Sequence, residues 1–314
     1  MRHIIRSQQF DRFLIEALFA RADRLRDQFE TPMRRTALGE ILRGKLMFAI
    51  FYEASTRTRF SFSAAAAHLG MQVVATENAR EFSSAVKGET LEDSLRALCE
   101  YSPDVIVLRH HETGAADRAA IICDQYGVSL INAGDGAGQH PTQALLDLYT
   151  IKREIGRLDD LTVVIGGDLA YGRTARSLAY LLAKFQNVRL VFVSPPELAI
   201  RADIAQHLKE HNVPFREETS LEASCRDADV VYWTRIQKER IADPKITAAL
   251  LPEFRITPRT LAWLKPHTAI LHPLPRVDEI AKEVDQDRRA AYFRQVRGGM
   301  FVRMALLTTL LAPE

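Results

Sequence analysis

The sequence predicts an α/β protein of two domains, each a parallel sheet flanked by helices. Three observations carry the prediction: short β-rich runs alternate with longer helical stretches, the alternation occurs in two series, and conspicuous polar clusters follow the β-rich runs. A chain of 314 residues is long enough for two hydrophobic cores. In the first series the strand candidates are residues 45–51, 72–75, 105–108 and 128–131. Helical stretches 56–69, 90–101 and 115–126 fall between them, after an opening amphipathic helix over 10–29 with Phe13, Leu14, Ala17, Leu18, Ala22 and Leu25 at helical spacing. The second series has strand candidates 161–165, 189–193, 229–233 and 268–271, with a helix over 173–185. Pro141 and Thr142 open a long helix, 143–155, that leads from one half to the other. The apolar 300–311 stretch closes the chain as a helix able to pack on either half. The expected division is 1–150, then 151–295, with residues 296–314 a terminal helix packing back on the first domain.

Composition removes several function classes. The 42 basic and 40 acidic residues give a net charge of +2, no footprint for nucleic acid or a membrane surface. No segment approaches 18 uncharged apolar residues, and a cytoplasmic location is expected. Cys99, Cys123 and Cys225 are too few and too scattered for a disulfide framework or thiolate metal site, and read as buried free thiols. No metal and no cofactor is expected: the adjacent His110 and His111 lack a convincing ligand spacing.

The polar clusters point to anion chemistry. Ser55-Thr56-Arg57-Thr58-Arg59 follows a strand and opens a helix, placing backbone N–H groups, hydroxyls and a guanidinium at a helix N-terminus suited to a phosphate. The glycine spacing of a nucleotide P-loop is absent, so the phosphate belongs to something smaller than ATP. Ser83, Ser84 and Lys87 form a loop that is either a solvated turn or a flexible positive reach toward an anion. Arg109 stands at a strand end, where it can contact an anion or a carbonyl. His140 can polarise a carbonyl, and Gln143 shares its face of the following helix. Arg173 begins a helix, an unfavourable place for a cation unless a carboxylate is bound, and Arg235 repeats the arrangement after the 229–233 run. Together they can clamp a small diacid, in a cleft between the two domains outside the strand ends. His272-Pro273-Leu274-Pro275-Arg276 makes a restricted loop whose carbonyls can accept from an amine; a cis Leu274–Pro275 bond is an option, with trans the usual form. No nucleophilic triad order is present.

Taken in order, Phe51-Tyr52-Glu53-Ala54-Ser55-Thr56-Arg57-Thr58-Arg59, Lys87-Gly88-Glu89-Thr90, His140-Pro141-Thr142-Gln143, Tyr171-Gly172-Arg173-Thr174, Thr234-Arg235-Ile236-Gln237 and His272-Pro273-Leu274-Pro275-Arg276 resemble the catalytic chains of the aspartate/ornithine carbamoyltransferase family, on its aspartate side. The ornithine branch carries a cysteine where this chain has Pro273. The resemblance implies that family's fold, a first domain binding carbamoyl phosphate and a second binding L-aspartate, and transfer of the carbamoyl group to aspartate in pyrimidine biosynthesis. It implies that Ser55, Thr56, Arg57 and Thr58 hold the phosphate, and that Thr58, Arg109 and His140 approach the carbonyl oxygen while Gln143 contacts the amide. It also implies that Arg173, Arg235, Gln237 and the Pro273-Leu274 backbone orient aspartate. Glu53 and Arg240 match positions that help the domains close through salt bridges. Ser83, or Ser84 if the loop register shifts, and Lys87 match residues lent by a neighbouring subunit, which implies a homotrimer with shared sites. Regulatory or dihydroorotase chains accompany some relatives.

Overall fold

The computed structural model describes residues 1–76, 78–79, 88–236 and 253–312. Ser83, Ser84, Lys87, Gln237 and Arg240 therefore lie outside the described residues. The chain divides into two compact units, Met1–Leu145 with Arg297–Glu314, and Leu146–Val296.

The first unit holds a parallel sheet of five strands: β1 (His3–Ile4), β2 (Leu46–Phe51), β3 (Gln72–Thr76), β4 (Val105–His110) and β5 (Ser129–Asp135). Their order is β1-β5-β4-β2-β3. Every residue of β4 and β5 is buried, as befits strands covered on both faces. Around them run α1 (Arg12–Glu30), α2 (Pro32–Leu38), α3 (Thr56–His68), α4 (Leu91–Cys99) and α5 (Ala115–Gln125). Three of these helices start at residues suited to a helix N-terminus. Asp11 accepts from the Leu14 N–H at 2.8 Å, Pro32 opens α2, and Thr90 accepts from the Asp93 N–H at 3.1 Å, with Glu92 and Asp93 in the positive first turn of α4. Phe48, Ile50, Ile106, Leu108 and Leu130 pack with Leu91, Leu95, Ala119 and Ile122 into one core. Each large side chain so buried contributes roughly 1.5–3 kcal/mol. Cys99 and Cys123 are both buried there, and their side chains interact with each other, so the two are distant in sequence but neighbours in space.

The second unit repeats the plan with β6 (Thr162–Gly166), β7 (Arg189–Val193), β8 (Phe215–Glu218), β9 (Val230–Trp233) and β10 (Ala269–Leu271), all parallel, in the order β10-β9-β6-β7-β8. Its helices include α7 (Arg173–Leu182), α8 (Ala202–Glu210), α9 (Leu221–Cys225) and α10 (Pro258–Leu261). Helices α6 (Pro141–Ile155) and α11 (Tyr292–Leu311) each contribute residues to both units. Val164, Val191, Val231, Trp233 and Ile270 form its core with Leu221, Phe254 and Tyr292. No helix among the described residues is long and apolar enough to cross a membrane.

Six elements were not anticipated: β1, only two residues long; β8, which reads Phe-Arg-Glu-Glu; and the helices α2, α8, α9 and α10. The strand at 105–108 also runs two residues further, taking Arg109 and His110 into β4.

Candidate active site

In a parallel sheet, ligands gather outside the carboxyl ends of strands where the strand order reverses. The first sheet reverses between β4 and β2, because β2 has β4 on one side and β3 on the other. Phe51, the last residue of β2, pairs with Arg109 near the end of β4, and Tyr52 N–H donates to the Arg109 carbonyl at 2.8 Å. The Ser55–Thr58 segment and Arg109 therefore leave adjacent strand ends. His140 follows β5, the next strand along, where His110 pairs with Asp135.

Ser55 occupies the N-cap of α3, yet its hydroxyl makes no capping bond. First-turn amides of a helix have no acceptor four residues back, so this N-terminus presents donors beside two threonine hydroxyls. Thr58 is buried, whereas Thr56 and Arg57 are exposed. Arg57 has no carboxylate partner among the described residues, although it stands at the positive end of α3. An oxyanion bound there would relieve both charges.

Arg109 is buried and doubly engaged: Nη1 donates to the Ala133 carbonyl at 3.2 Å, and Nη2 pairs with the Glu53 carboxylate. His140 is buried with its carbonyl accepting from the N–H groups of Gln143 and Ala144, and Nδ1 lies 3.4 Å from Thr142 Oγ1. Its position depends on the loop before it. Buried Asp135 accepts from the Gln139 N–H at 2.9 Å and Asn132 Nδ2 at 3.2 Å through Oδ1, and from the Gly114 N–H at 2.9 Å through Oδ2. Gly136 takes φ +49°, and a Cβ there would meet Thr113 N at 2.6 Å, so only glycine closes this turn. Asp135 was missed in the sequence, although an aspartate between a strand and glycines is a turn signal.

The second sheet reverses between β9 and β6, and here too the expected cations sit at the switch. Gly166 pairs with Trp233 at these strand ends. Thr234 ties the two emerging loops, donating its hydroxyl to the Gly166 carbonyl at 3.0 Å and accepting from the Asp168 N–H at 3.1 Å. Gly167 has φ +96°, and a Cβ there would collide with the Thr234 carbonyl. Fully buried Asp168 accepts from the Tyr171 N–H at 2.9 Å, shaping the turn that delivers Arg173 to the start of α7. Arg235, half-buried, follows Thr234 after β9.

β10 lies on the other side of β9, so the His272 loop is the third neighbour along this edge. The Leu274–Pro275 peptide is cis rather than the ordinary trans form, and Leu274 itself takes φ +54°, rare for a residue with a branched side chain. His272 is buried, with Nδ1 accepting from the Leu274 N–H at 2.8 Å and Nε2 facing Glu279 Oε1 at 2.8 Å. Burial pushes the Glu279 carboxyl up, but the His272 ring and the N–H groups of Glu279 and Val277 outweigh it and leave it below the usual range. The His272 N–H donates to Gln295 Oε1 at 3.1 Å. Gln295 in turn donates to Asp147 Oδ1 at 2.5 Å, and Asp147 Oδ2 accepts from the Tyr232 hydroxyl at 2.8 Å. This buried chain, invisible in the sequence because its members lie far apart, anchors the loop to β9, α6 and α11.

The expected residues are thus brought together in two groups, Ser55–Thr58 with Arg109 and His140 in the first unit, and Arg173, Arg235 and Pro273-Leu274 in the second. Residues 2–153 match the family described as aspartate/ornithine carbamoyltransferase, carbamoyl-P binding domain, and residues 159–310 its Asp/Orn binding domain. Aspartate carbamoyltransferase 3, chloroplastic, of Pisum sativum is 52% identical over 98% of this chain and 77% of its own length. The aspartate carbamoyltransferase catalytic subunit of Methanocella arvoryzae is 46% identical over 100% of this chain and 98% of its own. A crystal structure of aspartate transcarbamoylase from Trypanosoma cruzi in complex with carbamoyl phosphate and aspartate superposes with TM-score 0.88 at 37% identity, covering 99% of this chain and 96% of that one. With both domain types matched in order and relatives of this identity along its whole length, the chain belongs to the aspartate/ornithine carbamoyltransferase family, among the aspartate carbamoyltransferases.

Proposed function

We propose that this enzyme transfers the carbamoyl group of carbamoyl phosphate to the α-amine of L-aspartate, giving N-carbamoyl-L-aspartate and phosphate for pyrimidine biosynthesis. The observation that carries the reading is that both switch points hold cationic residues of the right kind: Arg57 and Arg109 flank β2 and β4, Arg173 and Arg235 flank β6 and β9. The first pair suits a phosphate with an attached carbonyl, the second a dicarboxylate, and a cationic acceptor such as ornithine would be repelled by the latter.

In this reading Ser55, Thr56, Arg57 and Thr58 hold the phosphate, and Arg109, Thr58 and His140 draw charge onto the carbonyl oxygen. Gln143 orients the carbamoyl amide. Arg173, Arg235 and Gln237 hold aspartate, with the Pro273 and Leu274 carbonyls next to the amine. The neutral amine attacks the carbamoyl carbon; the new C–N bond forms, the C–O bond to phosphate breaks, and the departing phosphate keeps that electron pair and takes the amine proton. No protein general base is needed. Donors placed where charge accumulates accelerate the step because they bind the transition state better than the substrate. Glu53 and Arg240 help the domains close through salt bridges once substrates are bound. Ser83 and Lys87 act in the site of a neighbouring subunit, so the working form is a homotrimer, in the cytoplasm, to which regulatory or dihydroorotase chains can be added.

The test is formation of carbamoyl-aspartate by the purified protein, with ornithine as competing acceptor. Carbamoyl-aspartate without citrulline supports the reading. Phosphate release independent of aspartate, or preference for ornithine, overturns it.

A further inference from the structure

We propose that His207, Glu210 and His211, at the end of α8, form a binding site for a divalent transition metal of the zinc class. One donor atom from each lies within 4.8 Å of the others. The spacing makes this possible: residues three and four apart share one helix face, so the two imidazoles and the carboxylate stand together. Tetrahedral ligands at metal bonds of about 2.0–2.1 Å sit about 3.3 Å apart, so the donors need only draw together by a side-chain rotation. Glu210 and His211 are exposed and free to make that movement.

Two further observations favour a ligand. The His211 Nδ1 lies 2.9 Å from the His207 carbonyl oxygen, which can only accept, so the ring proton is on Nδ1 and the Nε2 lone pair is left available. A backbone carbonyl is the usual outer partner of a metal-bound histidine. His207 Nε2 is buried and makes no hydrogen bond among the described residues, a cost that a bound cation would remove. The ring is held edge-on by Tyr180 at 4.6 Å between centroids and packs on His211 at 4.0 Å. The facing charges are Lys184, which opposes a cation, and Glu210, which attracts it and whose Oε1 accepts from neutral Gln206 at 2.8 Å. The second cluster of this kind, His110, His111 and Glu112, is worse placed. Its Glu112 carboxylate is held by Arg118 at 2.7 Å, and His110 Nδ1 accepts from the Glu112 N–H. Three protein ligands plus water make an open zinc geometry, and imidazole suits zinc, nickel and copper ahead of calcium or magnesium. A bound ion would clip the last turn of α8.

The experiment is zinc competition against a chromophoric chelator, using the full chain and three variants. Wild-type protein should take one zinc per chain in the low-micromolar range or tighter. His211→Ala should weaken binding by about tenfold or more, Glu210→Gln should weaken it less, and His111→Ala should leave it unchanged. X-ray absorption of the zinc form should show two imidazole nitrogens. Equal affinity in wild type and His211→Ala, loss in His111→Ala, or no stoichiometric uptake by wild type each overturns the proposal. Carbamoyl transfer, measured alongside, should be the same in all four proteins.

Discussion

The N–H of Leu274 donates to Nδ1 of His272 at 2.8 Å, so the neutral ring carries its proton on Nε2, which points at Glu279. One imidazole thereby links a buried carboxylate to the backbone on which the aspartate amine is proposed to dock. Glu279→Leu would leave that N–H facing an apolar group. We expect the KM for aspartate to rise about tenfold or more while that for carbamoyl phosphate stays within about twofold, as initial-rate measurements would read. Equal effects on both substrates would count against a positioning role.

Arg109 faces two acceptors at once, the Glu53 carboxylate and the Ala133 carbonyl. A lysine keeps the charge but loses the planar fork, so Arg109→Lys should lower kcat/KM for carbamoyl phosphate by about 100-fold without unfolding the chain. Near-normal turnover would remove Arg109 from the carbonyl site.

Burial pushes His110 from its ordinary 6.5 down to about 4, and the neighbouring His111 adds to the shift. The unfolded chain therefore binds a proton that the folded chain refuses between these values, and stability falls as pH drops through that window. The slope from this group is at most about 1.4 kcal/mol per pH unit. His110→Asn keeps an acceptor near Nδ1 and removes the titration. Its urea midpoint should fall less than that of wild type between pH 7 and pH 5, and parallel curves would rule the group out.

If Lys87 serves a neighbouring subunit, two inactive proteins should repair each other. Mixed oligomers of Arg57→Ala and Lys87→Ala should recover activity, because some sites then take an intact Arg57 from one chain and an intact Lys87 from another. Hybrids as inactive as their parents would place Lys87 in its own chain's site.

Most of the architecture was legible because both sheets are parallel and covered by helices, which makes stretches such as 105–108 and 190–193 continuous apolar runs. β8 escaped because it is an edge strand, where Arg216 and Glu217 face solvent and no hydrophobic pattern is imposed. β1 escaped because two residues carry no periodicity; it exists through pairing with β5 and through His3 Nδ1, which accepts from the Leu130 N–H at 3.0 Å. In the site, the residues proposed to meet ligands announced themselves by following strands. Asp147 and Gln295, which brace the His272 loop, did not, since they bond to each other across 148 positions and no local spacing betrays it, whereas Asp135 bonds close by in sequence and its turn signal went unread. The cis peptide at Leu274–Pro275 likewise reflects the folded surroundings of the loop rather than its composition.

The order β10-β9-β6 places the three acceptor-side ribbons on neighbouring strands of one sheet, while the donor-side ribbons belong to a different sheet altogether. The carbamoyl-P and Asp/Orn binding domain types thus each have a sheet of their own, and under the proposed function changes around Arg235 and Pro273 would bear on the acceptor side alone. In that reading, choice of nucleophile and handling of the leaving group rest on two separate stretches of one chain.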